Sequence, residues 1–260
     1  MLKNVVATVA ENKRIANGIY RLVLKSPDTD IKHFVPGQFA NIEIPNRDAL
    51  LLKRPISINK VNEDAQTVTL IYQVMGEGTQ ALPEVEVGAQ MKAIMPVGSG
   101  FFMHKNNEDV FLVGGGVGIA PLLSVARKWP DKRYHAYLGY RGVDFVYCLD
   151  EFESVCDGAY VTSDDGTIGD EGFITDTLKQ RLDEWHPDMV MACGPLPMLR
   201  ALKKVLAPLN IPAQVSMEQR MCCGFGACAV CACGIRHEGE LIYQKTCVEG
   251  PVFDLYEVEL

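Results

Sequence analysis

No uninterrupted apolar run in this 260-residue chain reaches the roughly 18 residues that a membrane-spanning helix needs, so no membrane span is expected. Cations are in short supply: 25 Lys and Arg stand against 33 Asp and Glu, a net charge of −8. They are nowhere clustered, which argues against nucleic acid as a partner, because a phosphate backbone must be met by grouped Lys and Arg. A signal-peptide core is also missing. The opening MLKNVVATVAENKRI sets charges inside its apolar stretch and reads as the first strand of a mature cytoplasmic protein. Cysteine, by contrast, is plentiful. Nine cysteines without an export signal point to metal or redox chemistry rather than to a disulfide framework.

Residues 5–95 show short runs of alternating or β-branched residues: VVATVA, GIYRLVLK, QFANIEI, RPISINKV, TVTLIYQV and AQMKAIM. Pro, Gly, Asn and Asp separate them, as expected of an antiparallel sheet closed into a small barrel. After Met103 strands alternate with helices: VFLVGGG then IAPLLSVARKW, YHAYLGY then a short helix near 149–155, AYVTS then FITDTLKQRLDEW, DMVMACG then LPMLRALKKVL, and finally AQVSME. That rhythm predicts a parallel, doubly wound sheet. From about Met217 the chain is rich in Cys and Gly with little periodicity, so something other than a hydrophobic core is expected to hold it together. The fold class is therefore a multi-domain β plus α/β protein, divided as a barrel over 1–103, an α/β domain over 104–216 and a small C-terminal domain over 217–260.

Six of the nine cysteines fall in that last part. Cys223, Cys228 and Cys231 stand as C-x4-C-x2-C, and Cys247 follows after fifteen further residues. This is the plant-type spacing of a [2Fe–2S] cluster, in which one loop supplies three thiolates and a distant fourth closes the site. Gly224, Gly226 and Ala227 let the backbone pass close to the inorganic sulfurs. A structural Zn site is the rival; it calls for two short C-x2-C knuckles, whereas only one is present and no His sits at ligand spacing. Using Cys222 or Cys233 instead breaks the plant-type pattern, and both read better as bystander thiols.

Gly114, Gly115, Gly116 and Gly118 lie between an apolar strand and an amphipathic helix. Such a turn can bring a dinucleotide pyrophosphate to a helix N-terminus, although it departs from G-x-G-x-x-G and can equally be a tight turn without ligand. A second turn, Cys193-Gly194-Pro195, falls at the carboxyl edge of the same sheet, where open α/β sheets bind ligands. Asp164 and Asp165, past another strand, would repel a 2′-phosphate and so favour NAD over NADP, unless they only shape the turn before Gly166. In the barrel half, Lys53-Arg54-Pro55-Ile56-Ser57 and Gly76-Glu77-Gly78-Thr79 are unremarkable alone: an exposed Arg at a strand start, and a hairpin turn.

Taken in order, RPIS in a barrel, GEGT, GGGVGIAP, CGPLPM and a terminal CGFGACAVC…C resemble the ferredoxin–NADP reductase superfamily across essentially the whole chain. The tail MEQRMCCGFGACAVCACG…YQKTCVEGPVF narrows the resemblance to the electron-transfer subunits of NAD-dependent dihydroorotate dehydrogenase. The resemblance implies FAD at the domain interface, with Arg54 pairing with phosphate, Pro55 and Ile56 beside it and Ser57 approaching the isoalloxazine. Ile71, Tyr72 and Gln73 are implied to line the flavin, Gly78 and Thr79 to touch its phosphates, and Cys223, Cys228, Cys231 and Cys247 to hold the cluster. It further implies an FMN-bearing catalytic subunit that oxidises dihydroorotate, in a heterotetramer with two copies of each chain.

The parts make chemical sense together: a nicotinamide exchanges hydride and a [2Fe–2S] cluster single electrons, so a flavin must stand between them. No acid–base residue of the chain is required, and the thiol of Cys193 is expected to be buried in its turn. Two other functions use the same parts. One is an electron-transfer subunit of a sulfide dehydrogenase, hydrogenase or bifurcating transhydrogenase; the other is a stand-alone NADH reductase without a partner. A non-enzymatic Zn-holding module is the remaining alternative, and predicts a colourless protein.

Overall fold

The computed structural model of the chain describes residues 3–26, 31, 33–47 and 49–260. Among these, no helix is long and apolar enough to cross a membrane.

The first half is a closed antiparallel barrel of six strands, β1 (Lys3–Ala16), β2 (Ile19–Lys25), β3 (Phe39–Ile42), β4 (Arg54–Asn62), β5 (Thr67–Gln73) and β6 (Gln90–Val97), in the order β1-β2-β5-β4-β3-β6. Each strand grows from one of the six alternating runs. Alternate residues such as Leu22, Leu24, Ile56, Ile58, Val68 and Leu70 fill the barrel interior. The GEGT segment forms not a hairpin turn but a one-turn helix, α1 (Glu77–Ala81), with the Thr79 hydroxyl taking the N–H groups of Met75 and Gly76 at 2.9 and 3.1 Å. Thr79 thus does for the backbone what a helix cap does, which the turn reading of Gly-Glu-Gly missed.

The second half is a seven-stranded sheet in the order β10-β9-β8-β7-β11-β12-β15, its last strand β15 (Val252–Asp254) coming from the C-terminal part. Its elements are β7 (Asp109–Gly115), α2 (Ile119–Lys128), β8 (Arg133–Tyr140), α3 (Leu149–Val155), β9 (Gly158–Ser163), β10 (Asp170–Glu171), α4 (Ile174–Leu182), β11 (Met189–Cys193), α5 (Leu196–Leu206) and β12 (Ala213–Ser216). Strands β7 to β12 pair in parallel. Helices α2 and α3 pack on one face and α4 and α5 on the other, each against its own apolar cluster. The order reverses between β7 and β11, so the crevice beyond their carboxyl ends is the topological switch point.

The C-terminal part corrects one expectation. It carries an antiparallel hairpin, β13 (Ala232–His237) and β14 (Glu240–Lys245), and a last strand, β15 (Val252–Asp254), that adds antiparallel to β12. Cys233, Ile235, Phe253, Leu255 and Val258 join the core of the α/β sheet, and Met221, Cys231 and Cys247 pack on Phe39, Ile94 and Val97 of the barrel. A hydrophobic core does hold this lobe, but a borrowed one: its apolar residues are too few to show periodicity and find partners on both neighbours. Burying the barrel side chains in that contact contributes about 1.5–3 kcal/mol each. Backbone bonds add to it, with Ser99 N–H donating to the Gly250 carbonyl at 2.6 Å and Met217 N–H to that of Pro251 at 2.8 Å.

Candidate functional site: a cleft and a thiol lobe with a common wall

A cleft opens between the outer face of β4–β5 and the switch point of the sheet. On β4 the side chains of Ile56 and Ile58 enter the barrel core, which leaves Pro55 and Ser57 on the outer face, and these line the cleft with part of Ile56. Ile71, Tyr72, Gln73 and Thr79 line it further. Tyr72 is largely turned into the barrel, its hydroxyl donating to Asn12 Oδ1 at 3.0 Å, so that group is not available to a ligand. Burial pushes the phenol well above its usual range. Arg54 and Gly78 lie outside the lining but against each other: a Cβ on Gly78 would fall 1.8 Å from Arg54 Nε, so only glycine admits the guanidinium. Arg54 donates to the Leu52 carbonyl and, among the described residues, has no carboxylate partner. A cation without a carboxylate partner beside a helical turn, next to a cleft with largely apolar walls, suits a flavin carrying a pyrophosphate.

From the sheet, Gly118 and Cys193 reach the cleft. The two glycine turns abut: a Cβ on Gly118 would lie 2.4 Å from the Cys193 carbonyl oxygen and 2.6 Å from Gly194 N, so this glycine is demanded by the contact between turns. Gly114, Gly115 and Gly116 continue the first turn and Gly194 and Pro195 the second, beside the cleft rather than in its lining. The Cys193 thiol is buried, and that burial first, then Glu218, raises it well above the usual range. Asp164 is not brought to the cleft; it stands exposed beyond the end of β9, two strands from the glycine turn. Its neighbour Asp165 accepts from both the N–H and the hydroxyl of Thr167, at 3.0 and 2.6 Å, which makes it a turn-former.

The sequence-derived thiols fall into two pairs. Cys231 and Cys247 are buried with their sulfurs 3.3 Å apart, and Cys223 is hydrogen-bonded to Cys228. Among the described residues no three His, Cys, Asp or Glu side chains gather as around a single metal ion. Two thiol pairs are instead what a binuclear cluster needs, two thiolates for each iron. Burial opposes ionisation of Cys223, but the N–H groups of Phe225, Cys228 and Ala227 together with the Cys228 thiol prevail and bring it down to about 6. Such N–H groups are the cradle that inorganic sulfur also requires. Cys233 turns the other way, into the sheet core, and Cys222 lies exposed on the surface.

Sequence reasoning missed the residues that join the two places. Phe39, Met221 and Thr246 line the cleft, while Phe39 and Met221 also pack on Cys231 and Cys247, and Thr246 precedes Cys247 in the chain. The Thr246 hydroxyl is buried and, among the described residues, has no hydrogen-bond partner. Met217, Glu218 and Gln219 also line the cleft. Glu218 is open to cleft water yet surrounded by protein, and this enclosure raises its carboxyl above the usual range. Met217 and Glu218 end the run AQVSME at the carboxyl edge of the sheet and Gln219 follows it; nothing in the sequence signalled Phe39 or Thr246.

A cleft at the switch point of the sheet and a thiol lobe sharing its wall fit the class that the comparisons show, an NAD-linked flavin and iron–sulfur oxidoreductase subunit. Residues 112–204 match the family model of the oxidoreductase NAD-binding domain, and residues 218–259 that of the iron-sulfur cluster binding domain of dihydroorotate dehydrogenase B. The electron transfer subunit of dihydroorotate dehydrogenase B (NAD(+)) from Bacillus velezensis is 37% identical over 264 residues, spanning 100% of both chains. That from Caldanaerobacter subterraneus is 36% identical over 252 residues, 97% of each chain. Among solved structures, an NADH-dependent reduced ferredoxin–NADP oxidoreductase, described for flavin-based electron bifurcation, superposes with a TM-score of 0.86 at 27% identity over 97% of this chain and 89% of its own. The chain belongs to the family of electron transfer subunits of dihydroorotate dehydrogenase B (NAD(+)). Its cofactors are FAD, a [2Fe–2S] cluster and NAD.

Proposed function

We propose that the chain passes electrons between an FMN-containing, dihydroorotate-oxidising partner and NAD⁺ in pyrimidine biosynthesis, in a heterotetramer with two copies of each subunit. The observation that carries this reading is the common wall: Phe39 and Met221 line the cleft and belong to the same buried cluster as the thiol pair Cys231 and Cys247. FAD, when bound, supplies the exchange between a hydride at nicotinamide and single electrons at a [2Fe–2S] cluster. The residues supply place and environment. Arg54, with Gly78 and Thr79, would hold the pyrophosphate, and Pro55, Ile56 and Ser57, with Ile71, Tyr72 and Gln73, would hold the ring system. Gly114, Gly115, Gly116 and Gly118, opposite Cys193, Gly194 and Pro195, receive NAD, and Asp164 disfavours a 2′-phosphate. Cys223, Cys228, Cys231 and Cys247 ligate the cluster.

We assign three domains, 1–103, 104–216 and 217–260, with β15 of the last crossing back to the sheet. We also assign the chain to the cytoplasm, where its nine unpaired thiols stay reduced. The likeness to a bifurcating oxidoreductase favours a second reading, an electron-transfer subunit of such a complex; the higher identity to the dihydroorotate family and its iron–sulfur match over 218–259 weigh for the first. The deciding experiment is co-purification with the native partner followed by assay with dihydroorotate and NAD⁺. Dihydroorotate-dependent NADH formation is expected. A coloured complex that ignores dihydroorotate moves the chain to the second reading.

A further inference from the structure

Asn41 breaks the pattern of the barrel. Strand β3 sends Ala40 and Ile42 into the barrel interior, so Asn41 faces outward with Phe39, beneath the iron–sulfur lobe. There it is fully buried, at 0% exposure, and among the described residues neither Oδ1 nor Nδ2 has a hydrogen-bond partner. A dry strand position between two packed surfaces is filled better by Leu or Val, and a buried amide is retained where something satisfies it.

What Asn41 faces is the loop directly after Cys223. Gly224 there has φ +73, and a Cβ on it would lie 2.3 Å from Asn41 Nδ2, so the loop backbone passes over the end of the amide. Glycine is required twice, by the left-handed backbone and by this approach. A thiolate or an inorganic sulfide only accepts hydrogen bonds, so it is the NH2 end of the amide that this surrounding selects. The loop already turns the N–H groups of Phe225, Ala227 and Cys228 to the Cys223 sulfur. The barrel places one further donor group beside that loop, the Asn41 side-chain NH2, from a residue 182 positions earlier in the chain (223 less 41).

We infer that Asn41 is a hydrogen-bond donor to the iron–sulfur centre, its side-chain NH2 serving a sulfur of the cluster or of the Cys223 thiolate. The inference rests on the ligand set proposed above. Its consequence is a raised potential, because a donor at sulfur favours the reduced, more negative state, and a lobe whose redox tuning depends on its docking to the barrel.

The test uses the full chain with flavin, cluster and partner, prepared with asparagine carrying ¹⁵N in its side-chain amide. Pulsed EPR of the reduced centre is expected to show one ¹⁵N coupling, lost in Asn41→Leu, a variant of the same branched shape, though larger, without a donor. A redox titration of the same variant is expected to give a lower midpoint potential at unchanged iron and flavin content. A wild-type cluster signal without amide coupling overturns the inference, as does an unchanged potential in an iron-replete Asn41→Leu. If that variant fails to hold iron, the wild-type coupling still decides. A wild-type chain with no binuclear cluster signal at all overturns the ligand assignment instead.

Discussion

The barrel and the iron–sulfur lobe reach stable folds by opposite routes. The barrel closes around its own side chains: six strands alternate inward and outward, and nearly every inward residue is aliphatic. The lobe has one hairpin of its own, and three of its exposed large apolar residues, Leu241, Ile242 and Tyr243, fall consecutively on β14. Its order comes from the outer face of β3 and β6, the core of the sheet and the cluster. A self-sufficient scaffold thus supplies part of the core for an element that has little of its own.

Breaking the lobe at its metal is expected to have the largest effect. Cys247→Ser should abolish the iron–sulfur absorption and EPR signal and all dihydroorotate-linked turnover, while flavin content and NADH-to-dye activity stay near wild type; a surviving cluster means that the ligand register is wrong. Phe39→Ala strikes the seam itself. A fully buried Phe in two contacts should cost about 3 kcal/mol in denaturant unfolding and weaken flavin and cluster retention together. Loss of one without the other would show that the wall is not shared.

Removing the cation is a narrower break. Arg54→Ala should weaken FAD binding roughly tenfold to a hundredfold, the scale of a charge-assisted hydrogen bond, and leave the iron content alone. Equilibrium titration of the flavin-free chain measures it. The smallest test concerns the loop without its metal. Backbone N–H groups stabilise the Cys223 thiolate, so in cluster-free protein its alkylation should be fast at neutral pH and fall off only as pH drops through about 6. A midpoint near the ordinary thiol value of 9.0 would show that the loop becomes a donor nest only around iron.

Much of this was legible beforehand, for identifiable reasons. Barrel strands, sheet strands and glycine turns are local patterns, and each run named from the sequence became the element it suggested. The short strands β10 and β15 and the hairpin β13–β14 went unread, because Asp170–Glu171 has no strand character and the hairpin lies among cysteines and glycines. GEGT looked like a turn because its helix is stabilised by a Thr79 side chain rather than by periodicity.

By itself, then, the sequence determined the number and type of chemical parts: four thiols at a spacing that two irons can bridge, two glycine turns at strand ends, and a cation at the start of a barrel strand. All are set by neighbours a few residues apart, where covalent geometry fixes what can be reached. Only the tertiary structure decided which parts meet. Asn41 lies under Gly224, Phe39 stands between cleft and thiols, and Cys233 turns into the sheet while Cys231 turns to the barrel. Those contacts join residues far apart in the chain, where packing of whole surfaces, not local spacing, chooses the partner.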